Sequence, residues 1–218
     1  MVPLKGRKTK QGLEEMFMVN YLAPYLLIRL LLENDLIPMD GKETPRIIIV
    51  SSESHRNPKA FDWEDFGKYR EYSAGKTVEL YGYTKLLLST FVNELSRQLN
   101  PNDNLHCSVF SLCPGPVNTN IAREAPAIFK PLLKLVFALF FRSPAEAVKP
   151  VVYLATSAEE KGKSLDYLFL TSRKEMDEKA TNEMNGKKLW KLSEDLLANH
   201  GFVFKKQFYR EAAASSSI

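Results

Sequence analysis

The stretch Arg46-Ile47-Ile48-Ile49-Val50-Ser51-Ser52 decides the fold. Four consecutive β-branched residues suit a strand buried inside a sheet, and two serines end it. On its N-terminal side, Asp40, Gly41 and Pro45 mark a loop. Before that loop, Met16, Asn20, Ala23 and Leu27 recur at helical spacing within an apolar run from about Lys10 to Leu36. Pro24 falls inside the run, where its ring clashes with the Asn20 carbonyl and donates nothing to it, so a local kink is expected there. On the other side, residues 53 to 76 are polar and aromatic with little period. They read as a long loop with at most a short helix.

A second helix is expected over about Val78 to Leu99, with Leu87, Phe91 and Leu95 on one face and Glu94 and Arg97 toward solvent. A strand from about His106 to Leu112 is stopped by Pro114, Gly115 and Pro116. Pro144 opens a helix through about Ser157, residues Ser164 to Leu170 form a last strand, and a further helix lies near Leu189 to Leu197. Helices alternating with apolar strands are the pattern of an α/β fold with a parallel sheet and crossover helices. Three strands are few for such a sheet, and the interior-type strand at Ile47 has no earlier strand to lie beside it. An unprotected edge of that kind favours self-association or a partner protein.

Composition narrows the function classes. The chain has 218 residues, 44% of them hydrophobic, enough for one α/β domain with a sizeable core. Its net charge of +4 is concentrated in an unopposed basic start, Lys5, Arg7, Lys8 and Lys10, which reads as a solvated terminus. No nucleic-acid motif or aromatic interleaving accompanies it, so nucleic acid is not expected as a partner. Cys107 and Cys113 have neither CxxC nor Cys/His spacing, which points to buried free thiols and no metal. No signal-peptide pattern is evident, and Pro24 and the lysines interrupt the apolar runs nearest to transmembrane length.

The chemistry-bearing signal is Tyr81-Gly82-Tyr83-Thr84-Lys85. Residues four apart share a helical face, so the Lys85 ammonium can approach the Tyr81 phenol and draw its pKa down toward a useful range. Such a pair can exchange a proton with a hydroxyl or carbonyl. Ser51 and Ser52 follow one strand and Pro114-Gly115-Pro116-Val117-Asn118-Thr119 follows the next, at the carboxyl rim where open parallel sheets hold ligands. Tyr83 is a weaker donor candidate that should face elsewhere. Ser51 is an alternative to Ser52, and His55 reads as a surface loop histidine. No nucleophile elbow or Ser/His/acid set supports a hydrolase.

Through these residues the sequence resembles the short-chain dehydrogenase/reductase family. The segments Val19-Asn20-Tyr21-Leu22-Ala23, Ile47 to Ser52, YGYTK and PGPVNT occur in the family's order, over about Lys8 to Leu170. The long Ser-to-Tyr separation and the run KLLLSTFVNELSRQL are most similar to the branch of retinol dehydrogenases and related carbonyl reductases. The resemblance implies that Tyr81 donates or accepts the proton and that Ser52 bonds the reacting oxygen. Lys85 would tune Tyr81 and hold the nicotinamide-side ribose, and Asn20 would keep a helix kink open for a water relay to Lys85. Pro114, Gly115 and Thr119 would shape the nicotinamide pocket, with NAD or NADP as cofactor.

The family's strand and glycine-rich turn for the pyrophosphate would precede the Asn20 helix. Gly6 and Gly12 do not form that fingerprint, since no buried strand precedes them. The expectation is therefore a truncated Rossmann-like sheet, the C-terminal catalytic part of the domain, over residues 1–172. Residues 173–218 would be a charged extension with a helix. The complete protein would oxidise alcohols or reduce carbonyls, while this chain alone would bind dinucleotide poorly and be inactive. The alternative is a non-catalytic interaction or regulatory homologue. The segment Pro126 to Phe141 is apolar apart from Lys130 and Lys134, and follows PGPVNT where the family builds its substrate lid. A lipophilic alcohol, aldehyde or ketone is the expected substrate. The expected location is the cytoplasm, with peripheral contact to an intracellular membrane.

Overall fold

The structure is a computed structural model, and it describes residues 1–39, 41, 43–117 and 141–206. The first long helix, α1, runs from Glu15 to Glu33. It is α-helical over Glu15–Phe17 and Ala23–Glu33, with a π turn at Met18–Leu22 between them. The Ala23 N–H reaches back five residues to the Met18 carbonyl, and Pro24 follows in the first turn of the next segment, where a missing N–H is tolerated. Pro24 thus bends the ladder without ending the helix. The π turn inserts one residue, so the buried face passes from Met16 to Tyr21 and then to Tyr25, Ile28 and Leu32. Ala23 and Leu27, expected on the buried face from unbroken α spacing, are exposed instead. The continuous helix is long and apolar enough to cross a membrane, yet half of its apolar window is buried against the rest of the fold.

Strand β1 (Arg46–Val50) pairs in parallel with β2 (Ser108–Cys113), and β2 pairs in parallel with β3 (Tyr167–Phe169). A short β4 (Ser172–Arg173), not foreseen from sequence, pairs antiparallel with β3 and gives the order β1-β2-β3-β4. The result is a small, mainly parallel α/β sheet of Rossmann-like type. Strand alternation divides its residues between two cores. Ile47, Ile49 and Val109 join the main core with α1 and α2 (Ala74–Leu99), while Ile48, Phe110, Leu112 and Leu168 pack with Val151 and Leu154 of α3 (Pro144–Thr156).

The C-terminal segment completes the main core. After α4 (Glu178–Thr181), α5 (Glu183–Ala198) inserts Leu189, Trp190 and Leu197. Tyr21 and Ser193 share a hydroxyl–hydroxyl bond of 2.6 Å, and Arg29, 2% exposed, pairs with Glu194 at 2.7 Å beneath the Trp190 ring. The division expected after residue 172 falls inside β4, and the described part of the tail, residues 173–206, packs against the same helices as the preceding residues. Glu94, expected to face solvent, is only 1% exposed because α5 covers it. Gly186 makes that approach possible, since a Cβ there would lie 2.5 Å from Glu94 Oε2. Arg97 and Gln98 satisfy the buried carboxylate at 2.9 and 2.8 Å. Cys107 and Cys113 are free and buried.

Among the described residues, no strand pairs with the outer edge of β1, and Val50 is 46% exposed. The Ser51 N–H points inward to the Leu112 carbonyl at 2.7 Å, so alternation turns the Ile48 and Val50 N–H groups outward. Hydrogen exchange on the 218-residue chain should show Ile48 and Val50 amides exchanging at least about tenfold faster than Ile47 and Ile49 in dilute solution. Their protection should grow with protein concentration if the edge self-associates. Uniformly slow exchange along β1 in a dilute monomer would contradict an open edge.

Candidate active site

Because β1 and β2 are parallel, their carboxyl ends open on one rim, and candidate residues Ser52, Tyr81, Lys85, Pro114 and Gly115 collect there. Ser52 follows β1 in extended conformation and caps a short 3-10 turn, Glu53–Arg56. Its Oγ accepts the Ser54 N–H and donates to Ser54 Oγ, both at 3.2 Å, and its hydroxyl is near enough to the Tyr81 side chain to influence the phenol's protonation. Tyr81 and Lys85 lie one turn apart on α2. Lys85 Nζ donates to the carbonyl of Val50, the last residue of β1, at 3.1 Å, and sits 5.7 Å from the centre of the Tyr81 ring. That bond pins the helix to the end of the strand. Cys113, at the end of β2, lies within electrostatic range of both side chains.

Burial controls the protonation of both groups. It pushes Lys85 down to about 8 and raises the Tyr81 phenol above its ordinary range, with the Ser52 hydroxyl pulling the phenol part of the way back. The sequence led us to expect the opposite direction for Tyr81, with Lys85 lowering it. The geometry explains the difference: the ammonium is spent on the Val50 carbonyl and its own charge is disfavoured by burial, so desolvation of the phenol prevails.

The other expected residues are placed as follows. Asn20 lies in the π turn and is buried; its Nδ2 donates to the Met1 carbonyl at 2.9 Å and to Thr84 Oγ1 at 3.3 Å. Thr84 Oγ1 in turn donates to the Tyr81 carbonyl at 2.8 Å, so Asn20 reaches the Tyr81 turn of α2 through one intermediary. Ser51 points into the core and shares a 2.7 Å bond with Ser89. Tyr83 turns away and donates to the Asp62 carbonyl at 2.9 Å. Pro114 and Gly115 follow β2 at the rim. Gly115 has φ +75°, a backbone conformation that favours glycine, and a Cβ there would also press on the Leu170 side chain at 2.5 Å. Thr119, and the apolar segment 126–140, lie outside the described residues.

Two contributors escaped sequence reading. The Val50 carbonyl gives no side-chain signal. His55, expected on the surface, is fully buried, with Nδ1 2.7 Å from the Ser52 carbonyl. The Ser-x-x-His spacing was the available clue, since residues three apart eclipse in a 3-10 turn.

Known proteins are similar to this chain in sequence. Retinol dehydrogenase 14 of Homo sapiens is 33% identical over 189 residues, 86% of this chain and 53% of the relative. The WW domain-containing oxidoreductase of Gallus gallus is 32% identical over 196 residues, covering 87% and 45%, respectively. Polyprenol dehydrogenase of Homo sapiens is 29% identical over 193 residues, covering 88% and 56%. The chain belongs to the short-chain dehydrogenase/reductase family. Its relatives put it in the retinol dehydrogenase-like branch of that family, and it spans about half the length of the curated relatives it matches. No protein-family model matches the chain. A crystal structure of an uncharacterized protein from Mycobacterium paratuberculosis superposes with a TM-score of 0.61 at 22% identity, covering 92% of this chain and 64% of that one, which supports the fold.

The depressed Lys85 gives this short-chain dehydrogenase/reductase a pH signature. Between about 8 and the ordinary 10.5 the unfolded chain holds the proton and the folded chain does not. Lys85 therefore adds stability as pH rises through that window. In denaturant titrations at about pH 7.5 and 9.5, wild type should gain stability relative to Lys85→Met at the higher pH. A wild-type stability, taken relative to the variant, that fails to rise between the two pH values would contradict the depressed Lys85 pKa.

Proposed function

We propose that the complete protein is an NAD(P)-dependent oxidoreductase that interconverts lipophilic alcohols with aldehydes or ketones. The convergence of Ser52, Tyr81 and Lys85 at the sheet rim, with Lys85 Nζ on the last carbonyl of β1 and 5.7 Å from the Tyr81 ring, is the observation that carries this reading. In it, Ser52 donates a hydrogen bond to the substrate oxygen while Tyr81 gives that oxygen a proton or takes one from it. A phenol held above its ordinary range keeps its proton at neutral pH, which suits carbonyl reduction. In the alcohol-oxidising direction Tyr81 must act as a base, and Lys85 moved from the Val50 carbonyl toward the phenol would favour that. Asn20 supports the Tyr81 turn through Thr84. Retinol and polyprenol dehydrogenases among the relatives support an apolar substrate. The same reading puts the protein in the cytoplasm, beside an intracellular membrane.

The described residues fit one end of a nicotinamide cofactor. Lys85 would hold the nicotinamide-side ribose and Pro114 and Gly115 would border the ring, while Thr119, expected at its carboxamide, lies outside the described residues. When bound, the cofactor supplies or accepts the hydride. The phosphate end has no matching cradle among the described residues. The N-terminus of α1 is capped by the Glu14 carboxylate, which accepts the Phe17 N–H at 2.7 Å, while the Glu15 N–H goes to the Arg7 carbonyl, so these donors are already engaged. We therefore infer that the 218-residue chain binds dinucleotide weakly and turns over little by itself. The open β1 edge favours a second reading, a non-catalytic interaction homologue.

One comparison separates these readings. In the complete protein, Tyr81→Phe should lower kcat by about a thousandfold or more while cofactor Kd stays within about twofold. Calorimetry of the 218-residue chain should show no saturable binding of NADH or NADPH. Wild-type turnover in the variant would reject the assignment of Tyr81, and absence of turnover in the complete wild-type protein would favour the interaction reading.

A further inference from the structure

His55 joins two parts of the molecule that are far apart in sequence. Its ring is fully buried and meets the Tyr167 ring edge-on at 5.4 Å. Nδ1 lies 2.7 Å from the Ser52 carbonyl, and the Asp177 N–H points at Nε2 from 3.2 Å. A carbonyl can only accept and a backbone N–H can only donate. The two contacts together therefore require the neutral ring with its proton on Nδ1. The Ser52 carbonyl also accepts the His55 backbone N–H at 3.1 Å, so this residue grips it twice. Asp177 is the N-cap of α4, where the C-terminal helices begin.

We propose that His55 is a positioning residue for the Ser52–Tyr81 pair, acting through a single neutral tautomer that also fastens the C-terminal segment at Asp177. The proposal rests on the reading of Ser52 and Tyr81 as the reactive pair. A second ring proton would set Nε2–H against the Asp177 N–H, donor facing donor, and would loosen both attachments together. The surroundings offer an imidazolium little compensation. Glu53 is engaged by Lys174, by Arg56 at 3.3 Å and by the Tyr167 hydroxyl at 2.7 Å, and Asp177 is paired with Lys179 at 2.7 Å. Arg56, on the same turn as the ring, disfavours a second positive charge, and burial acts in the same direction.

Substitution can separate the two attachments. An asparagine amide falls near the Nδ1 position and a glutamine amide near Nε2, so His55→Asn keeps the Ser52 contact and His55→Gln keeps the Asp177 contact. The test uses the 218-residue chain, whose three histidines keep the ring spectrum simple. Ring 15N spectra should show His55 as the neutral Nδ1–H tautomer, still mostly neutral at about pH 6.5 where a free imidazole is half charged. His55→Asn should leave the Tyr81 phenol titration in place and speed Asp177 amide exchange about tenfold or more. His55→Gln should do the reverse, displacing the Tyr81 titration upward and keeping Asp177 protected. An Nε2–H tautomer, or two variants with the same effect on Tyr81 and Asp177, would overturn the proposal, and the wild-type tautomer decides even if a variant fails to fold. None of these readouts needs turnover, so failure of the oxidoreductase reading would be seen separately, as a complete protein without activity.

Discussion

The parallel register of β1 and β2, with Ile48 opposite Phe110 and Val50 opposite Leu112, is the constraint on which the rest depends. It brings two strand ends to one rim and gives each sheet face its own apolar set. Helix α2 then packs against the main-core face, with Leu86, Leu87, Phe91 and Leu95 almost fully buried. Once that face is fixed, Lys85 is directed at the last carbonyl of β1 and Tyr81 at Ser52. A slip of one residue in β1 would exchange its two faces and carry Ser52 away from the helix.

The second constraint is the ring-lined seam between α1, α2 and α5. Tyr25 meets Phe91 at 4.8 Å and Trp190 at 5.5 Å, and Arg29 lies against Trp190. The C-terminal helix is thereby part of the support for the site. It covers Glu94 on α2, while the segment leading into it reaches His55 through Asp177. A serine held from both sides by packed elements loses little geometry to thermal motion, which is what the proposed role of Ser52 beside Tyr81 would require.

Strand positions were legible because an unbroken run such as Ile47–Val50 leaves little choice of structure, and proline and glycine mark where the next strand stops. That the candidate residues would meet at one rim was legible for the same reason, since parallel strands present their ends together. The face of α1 was not. Residue spacing assumes an unbroken α ladder, and the π turn at Met18–Leu22 adds a residue that moves Leu27 outward and Tyr25 inward. The burial of Glu94 and His55 was hidden too, because both are covered by residues about 90 to 120 positions further along. The direction of the Tyr81 shift depends on where the Lys85 amine spends its hydrogen bond, and a main-chain acceptor leaves no trace in a motif.

The central claim is that a half-buried Tyr81 phenol lies beside Ser52 at this rim, close enough for the serine hydroxyl to lower its pKa. The most direct measurement is the titration of the Tyr81 phenol carbon by 13C NMR in the 218-residue chain, wild type against Ser52→Ala. The account predicts a wild-type titration above the ordinary value near 10 and a further upward displacement in the variant, because burial raises the group and Ser52 lowers it. A Tyr81 that titrates at or below 10, or that ignores the loss of Ser52, would contradict it.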